Sequence, residues 1–65
     1  MNNFGTRLKE LRIQNFLTQK EVASYLYITR ASYAKYETGQ RFPDARTLCR
    51  IADLYGVSVD YLLGR

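Results

Sequence analysis

Sixty-five residues allow one small core and exclude a second domain, since a chain this short buries only about 60% of the surface it exposes when unfolded. A hydrophobic share of 46%, with 25% charged residues of both signs, excludes a disordered tail and points to a globular chain. Ten Lys and Arg against six Asp and Glu give a net charge of +4. That balance favours polyanions without naming one.

The excess is uneven. Residues 1–43 hold Arg7, Lys9, Arg12, Lys20, Arg30, Lys35 and Arg41 against Glu10, Glu21 and Glu37, whereas residues 44–65 are balanced. With no histidine, one cysteine and scattered carboxylates, there is no metal-ligand set and no nucleophile–base pair, so neither an enzyme nor a cofactor is expected. Cys49 cannot form an internal disulfide. No apolar run approaches the roughly eighteen residues of a membrane span, and no signal segment precedes the pattern, so a reducing cytoplasmic setting is expected.

From Thr6 to about Gln14, Leu8 and Leu11 follow Phe4 at amphipathic-helix spacing, with Thr6 as the expected N-cap. Thr18 followed by Glu21 makes a capping box, with Leu17 as an outside staple, so a second helix begins at Gln19. Its apolar side is Val22, Ala23 and Leu26, and it ends near Tyr27. Thr29 caps a third helix running from Arg30 to Glu37, stopped by Gly39. The few residues between Leu26 and Arg30 allow only a turn, so these two helices cross at a large angle, the signature of helix-turn-helix over about 19–38.

A loop closed by Pro43 follows. Asp44 caps a fourth helix, Ala45 to Tyr55, whose apolar face is Leu48, Ile51, Ala52 and Tyr55, stopped by Gly56. Ser58 caps a last short helix, Val59 to Leu63, ending at Gly64. Tyr33, Tyr36 and Tyr55 read as core residues whose hydroxyls reach the surface, and Tyr36 is placed to donate to a phosphate. Tyr25 and Tyr27 are more exposed; stacking on single-stranded bases would need a platform that short helices rarely give. Cys49, beside Ala52, is read as a small packing residue rather than a redox sensor.

The third helix leaves Arg30, Ala31, Ala34 and Lys35 on a free face, with Ser32 at its edge. Arg and Lys donate to guanine O6 and N7, Ser donates or accepts, and Ala meets a thymine methyl, so this face suits the major groove. The pieces RLKELR, LTQKEVASYL, ITRASYAKYETG, the Pro43 loop, TLCRIADLYGVS and DYLLG stand in order over nearly the whole chain. Together they resemble the Cro/cI-type (XRE) helix-turn-helix domains of bacterial and phage repressors.

The resemblance implies an all-α, lambda-repressor-like fold of five short helices, with helices 2 and 3 forming the motif. It assigns base reading to Arg30, Ala31, Ser32 and Lys35. Phosphate contact falls on Gln19 and Lys20, where a helix N-terminus already favours an anion, and on Thr38 and Arg41. It also implies a structural ion pair of Arg12 with Glu37. Two departures stand out: the family favours glycine where this chain has Phe16 and Tyr27. A non-glycine at positive φ is strained, so another turn geometry is expected, with Asn15 taking the left-handed role in the first case.

The function expected is sequence-specific binding of double-stranded DNA by a transcriptional regulator, with a repressor preferred. A single short helix reads few bases, and Val57, Val59, Leu62 and Leu63 exceed what one small core covers, so a homodimer on a palindromic operator is expected. The competing reading is a protein-interaction module, such as an antitoxin or co-regulator, that keeps the fold without binding DNA. A related reading makes the chain the N-terminal part of a longer repressor.

Overall fold

The computed structural model describes residues 4–65. Five helices follow in order: α1 (Phe4–Gln14), α2 (Gln19–Leu26), α3 (Arg30–Thr38), α4 (Ala45–Tyr55) and α5 (Val59–Leu63). Helix α3 lies against α1 and α2, α4 against α2, and α5 against α1 and α4. Among the described residues no helix is long and apolar enough to cross a membrane.

Four of the five helices start where a side-chain acceptor meets an unpaired backbone N–H. Thr18 completes the capping box with Glu21: its Oγ1 accepts from the Glu21 amide at 3.0 Å while its own amide donates to Glu21 Oε1 at 2.8 Å. Thr29, Asp44 and Ser58 accept from the amides of Ser32, Thr47 and Tyr61. The hydrogen bond from Thr47 also holds the exposed Asp44 carboxyl below its ordinary pKa.

Thr6 is not the cap of α1, because the helix already includes Phe4. Tertiary packing overrides the cap signal there. Phe4 is buried, its ring 4.7 Å from that of Phe42, and the helix must reach back far enough to present it. Gly5 is the other reason α1 sits where it does. A Cβ at this position would lie 2.3 Å from the Glu37 carbonyl oxygen and 2.8 Å from its carbon, so the backbone of α1 rides directly on the end of α3.

Leu8, Val22, Tyr33, Ile51 and Leu62 are fully buried, and Phe4, Leu11, Ala23, Leu26, Tyr36, Leu48 and Ala52 complete the core. Each large apolar side chain buried in this way contributes about 1.5–3 kcal/mol. Leu17 and Ile28, which flank α2, pack on the same cluster. Two expectations fail for α4 and α5. Cys49 is exposed, because one step along the helix from Leu48 turns it about 100° away from the apolar stripe. Leu62 is wholly inside the core, so it has no surface to offer a second chain, whereas Val57, Val59 and Leu63 are half-buried against that core.

The turn geometry also differs from expectation. Phe16 and Tyr27 themselves take the left-handed region, at φ 59° and 60°. Asn15 does not: its Nδ2 donates to the Leu11 carbonyl at 2.7 Å, and its amide continues the bonding of the last turn. The glycine-type turn is thus retained with aromatic residues in it.

Candidate nucleic-acid interface

The candidate interface is built on α3. Its inner side carries Tyr33 and Tyr36, both in the core, with their rings edge to face at 6.2 Å. Its outer side carries Arg30, Ala31 and Lys35, all three exposed, with Ser32 and Ala34 half-buried beside them. Anchoring through two large rings on one side is what leaves a small and cationic surface on the other.

The far end of α3 is locked to α1 by an ion pair. Arg12 Nε donates to Glu37 Oε2 at 2.7 Å and Nη2 to Oε1 at 3.3 Å, while Nη1 donates to the Leu17 carbonyl at 3.0 Å. Side-chain exposure is 14% for Arg12 and 4% for Glu37, which makes this a buried, bidentate contact and not a solvated surface pair. Burial alone would push the Glu37 carboxyl upward, but Arg12, with Tyr33 and Gln19 beside it, outweighs burial and holds it below its ordinary value. The hydrogen bond to Glu37 raises Arg12 in turn, against desolvation.

Two tyrosine hydroxyls sit next to this pair. Those of Tyr33 and Tyr55 are buried without a partner in hydrogen-bonding geometry, although Tyr33 lies beside both Glu37 and Tyr55. The expectation that these hydroxyls reach the surface is therefore corrected. Burial is also the main reason that both phenols resist ionisation.

Gln19 joins the pair to the outer face. Its Nε2 donates to Glu37 Oε1 at 3.1 Å, and its Oε1 accepts from Arg30 Nη1 at 3.2 Å. A continuous run of polar contacts therefore passes from Arg12 through Glu37 and Gln19 to Arg30. No local pattern announces this second duty of Gln19, because its partners stand 18 and 11 residues away.

The other expected contact residues are placed as follows. Lys20 and Arg41 are exposed, as is Thr38, whose hydroxyl donates to the Lys35 carbonyl at 3.2 Å. That carbonyl also accepts from the amides of Gln40 and Arg41, at 3.0 and 3.2 Å, so the loop carrying Arg41 is tied to the end of α3. Ser32 is partly engaged, since its Oγ accepts from Thr29 Oγ1 at 3.0 Å. Tyr36 is 6% exposed. Its ring is a core element, which leaves at most an edge for a phosphate. Among the described residues no group of His, Cys, Asp and Glu is placed to hold a metal ion.

Comparison with known proteins puts this geometry in context. A family profile described as a helix-turn-helix domain matches residues 5–65. The chain is 45% identical over 60 residues to the SPbeta prophage-derived uncharacterized HTH-type transcriptional regulator YonR of Bacillus subtilis, covering 92% of this chain and 56% of that protein. Among solved structures, a transcriptional regulator from Listeria innocua superposes with a TM-score of 0.94 at 28% identity, covering 100% of this chain and 61% of that one. The S. venezulae BldD DNA-binding domain superposes with a TM-score of 0.78 at 30% identity, covering 95% of this chain and 93% of that one. The chain spans about half the length of the curated relatives it matches.

Proposed function

Since the chain belongs to the helix-turn-helix domain family, of the Cro/cI type, we propose that it is the DNA-reading domain, 1–65, of a sequence-specific transcriptional regulator acting as a repressor in the cytoplasm. The observation that carries this reading is the division of α3. Tyr33, Tyr36 and Glu37 fix one side in the fold, while Arg30, Ala31 and Lys35 are left on the other beside an exposed Lys20 and Arg41. Helix α3 enters the major groove. Arg30 and Lys35 donate to base edges, Ala31 meets a thymine methyl, and Ser32 reads at the margin.

Phosphates are held by Lys20, Thr38 and Arg41, the N-terminal amides of α2, and the accessible edges of Gln19 and Tyr36. Binding is by a homodimer through Val57, Val59 and Leu63, with the two copies of α3 about 34 Å apart on a palindromic operator. Repression follows from occupation of promoter sequence.

The test is selection from a random duplex pool, followed by titration of the enriched duplex at two salt concentrations. Lys35→Ala should weaken specific binding and broaden preference at one or two positions, by about 1–3 kcal/mol of discrimination. Arg41→Ala should weaken all duplexes alike and reduce the salt slope by about 1. Failure to enrich any duplex would instead favour a protein-interaction role for the same face.

A further inference from the structure

Four helices end with the same pair of backbone bonds around a left-handed residue. In α2, the Tyr27 amide donates to the Ser24 carbonyl at 3.1 Å and the Ile28 amide to that of Ala23 at 3.0 Å. Phe16 and Leu17 repeat this at the end of α1, with donation to Ile13 at 3.0 Å and Arg12 at 3.1 Å. Gly56 and Gly64 occupy the same place after α4 and α5, at φ 65° and 77°. The aromatic caps adopt, at φ 59° and 60°, a conformation that strains any side chain with a Cβ. They form a natural comparison, because the surroundings of their rings differ.

Phe16 is 93% exposed. Tyr27 is 85% exposed, yet Arg50 of α4 reaches it. The Arg50 Cζ lies 5.3 Å from the Tyr27 ring centroid and 5.2 Å from that of Tyr25. Its Nη2 donates at 2.8 Å to the carbonyl of Tyr25, one of the last in α2 and so without a helical partner. Its Nε is buried with no hydrogen-bond partner, and among the described residues the ion pair of Arg12 with Glu37 has no counterpart at this guanidinium. Two aromatic faces and one carbonyl are what seat this cation, an arrangement that suits the flat guanidinium better than an ammonium.

We propose that Arg50 is a positioning residue for α3: held between Tyr25 and Tyr27 and bonded to the α2 terminus, it fixes the left-handed Tyr27 from which α3 departs. Only Tyr27, Ile28 and Thr29 separate α2 from α3, so a rotation at Tyr27 swings Arg30 directly. Arg12 secures the far end of α3 through Glu37, and Arg50 secures its approach. Arg50 makes no contact with DNA and acts through the turn. The affinity part of this inference rests on α3 being the DNA-reading helix, and the stability part does not.

The experiment is a cycle of Arg50→Ala and Tyr27→Gly, singly and together, with Phe16→Gly alone and combined with Arg50→Ala as the control. Thermal midpoints come first. Phe16→Gly should raise the midpoint, and Tyr27→Gly should raise it less or lower it. Arg50→Ala should lower it by about 4 °C or more with Tyr27 present and by less than half as much in the Tyr27→Gly background, while its effect adds simply to that of Phe16→Gly. Equal losses with and without the Tyr27→Gly change would overturn the proposal. If Arg50→Ala does not fold, the comparison of Phe16→Gly with Tyr27→Gly still decides the matter, and equal gains overturn it.

Affinity for the pool-enriched duplex is then measured at a temperature where every variant is folded. Arg50→Ala should weaken it about threefold or more with an unchanged salt slope, and Arg50→Lys should not restore it. A salt slope reduced by about 1 would make Arg50 a phosphate contact, and an unchanged affinity would make it merely structural. Either result refutes positioning. If no duplex is enriched, the DNA reading fails on its own account, while the cycle of midpoints still stands or falls separately.

Discussion

Replacing Arg12 by methionine removes the cation and keeps most of the side-chain volume. Glu37 would then be left with 4% of its side chain in water and with the Gln19 amide as its hydrogen-bond donor. Leaving one partner of a buried pair uncompensated costs about 3–5 kcal/mol. The lower end applies, because Arg12 is itself 14% exposed, which gives about 3 kcal/mol. A 65-residue domain has about 3–10 kcal/mol in total, so the variant should lose about 12–24 °C in Tm, a loss of about 30% or more of its stability.

Urea unfolding followed by circular dichroism measures this directly. The midpoint should fall with little change in slope, as for a loss of stability without a change in compactness. Arg12→Met combined with Glu37→Leu should recover most of the loss, because an apolar pair carries no desolvation penalty. A loss below about 1 kcal/mol for Arg12→Met alone would place the pair among solvated surface contacts and refute the reasoning.

Acid should act on the same pair. The folded Glu37 carboxyl titrates below its ordinary 4.5, so its stabilisation is full above that value and is lost as pH falls through the lowered one; the apolar double variant should lose less stability between about pH 5 and about pH 3 in urea titrations. Gly5→Ala would ordinarily help a helix by about 1 kcal/mol. Here it should destabilise by about 1–3 kcal/mol in the same assay, because the new Cβ meets the backbone of Glu37 and Tyr36 and neither can yield cheaply. Phe16→Gly removes about 1–2 kcal/mol of left-handed strain and adds about 0.5–1 kcal/mol of unfolded-state freedom, so Tm should rise by a few degrees; a fall would refute the strain assignment.

The parts of the fold written in local chemistry could be read from the chain alone. Thr18 with Glu21, Thr29, Asp44 and Ser58 mark helix starts because each bonds an amide three residues on, and such a bond needs no distant partner. The burial of Val22, Ala23, Leu26, Tyr33 and Tyr36 follows from helical spacing in the same way. Much of what sequence reading missed depends on distant contacts. Thr6 looks like a cap until Phe4 docks on Phe42. Leu62 looks available until it is enclosed in the core.

The candidate site divides along the same line. The outward placement of Arg30 and Ala31 follows from where Tyr33 and Tyr36 must go. The pairing of Arg12 with Glu37 came from resemblance, since nothing local joins residues 25 apart. The bridging of Gln19 between Glu37 and Arg30 and the seating of Arg50 on two rings have no local signature at all.

The helices are short: α2 has eight residues, α3 nine, and the longest eleven. Isolated helices below about 12–15 residues barely form in water, so α3 exists as a helix only while α1 and α2 hold it. Under the proposed function, acquiring the reading surface and folding the domain are therefore one cooperative event. The fraction of molecules able to bind is the folded fraction, and a duplex present at about a hundred times its Kd would raise apparent stability by about 2.7 kcal/mol. Under the proposed function, free protein is open to proteolysis through its unfolded minority, whereas a copy bound to its duplex is protected to the extent of that gain.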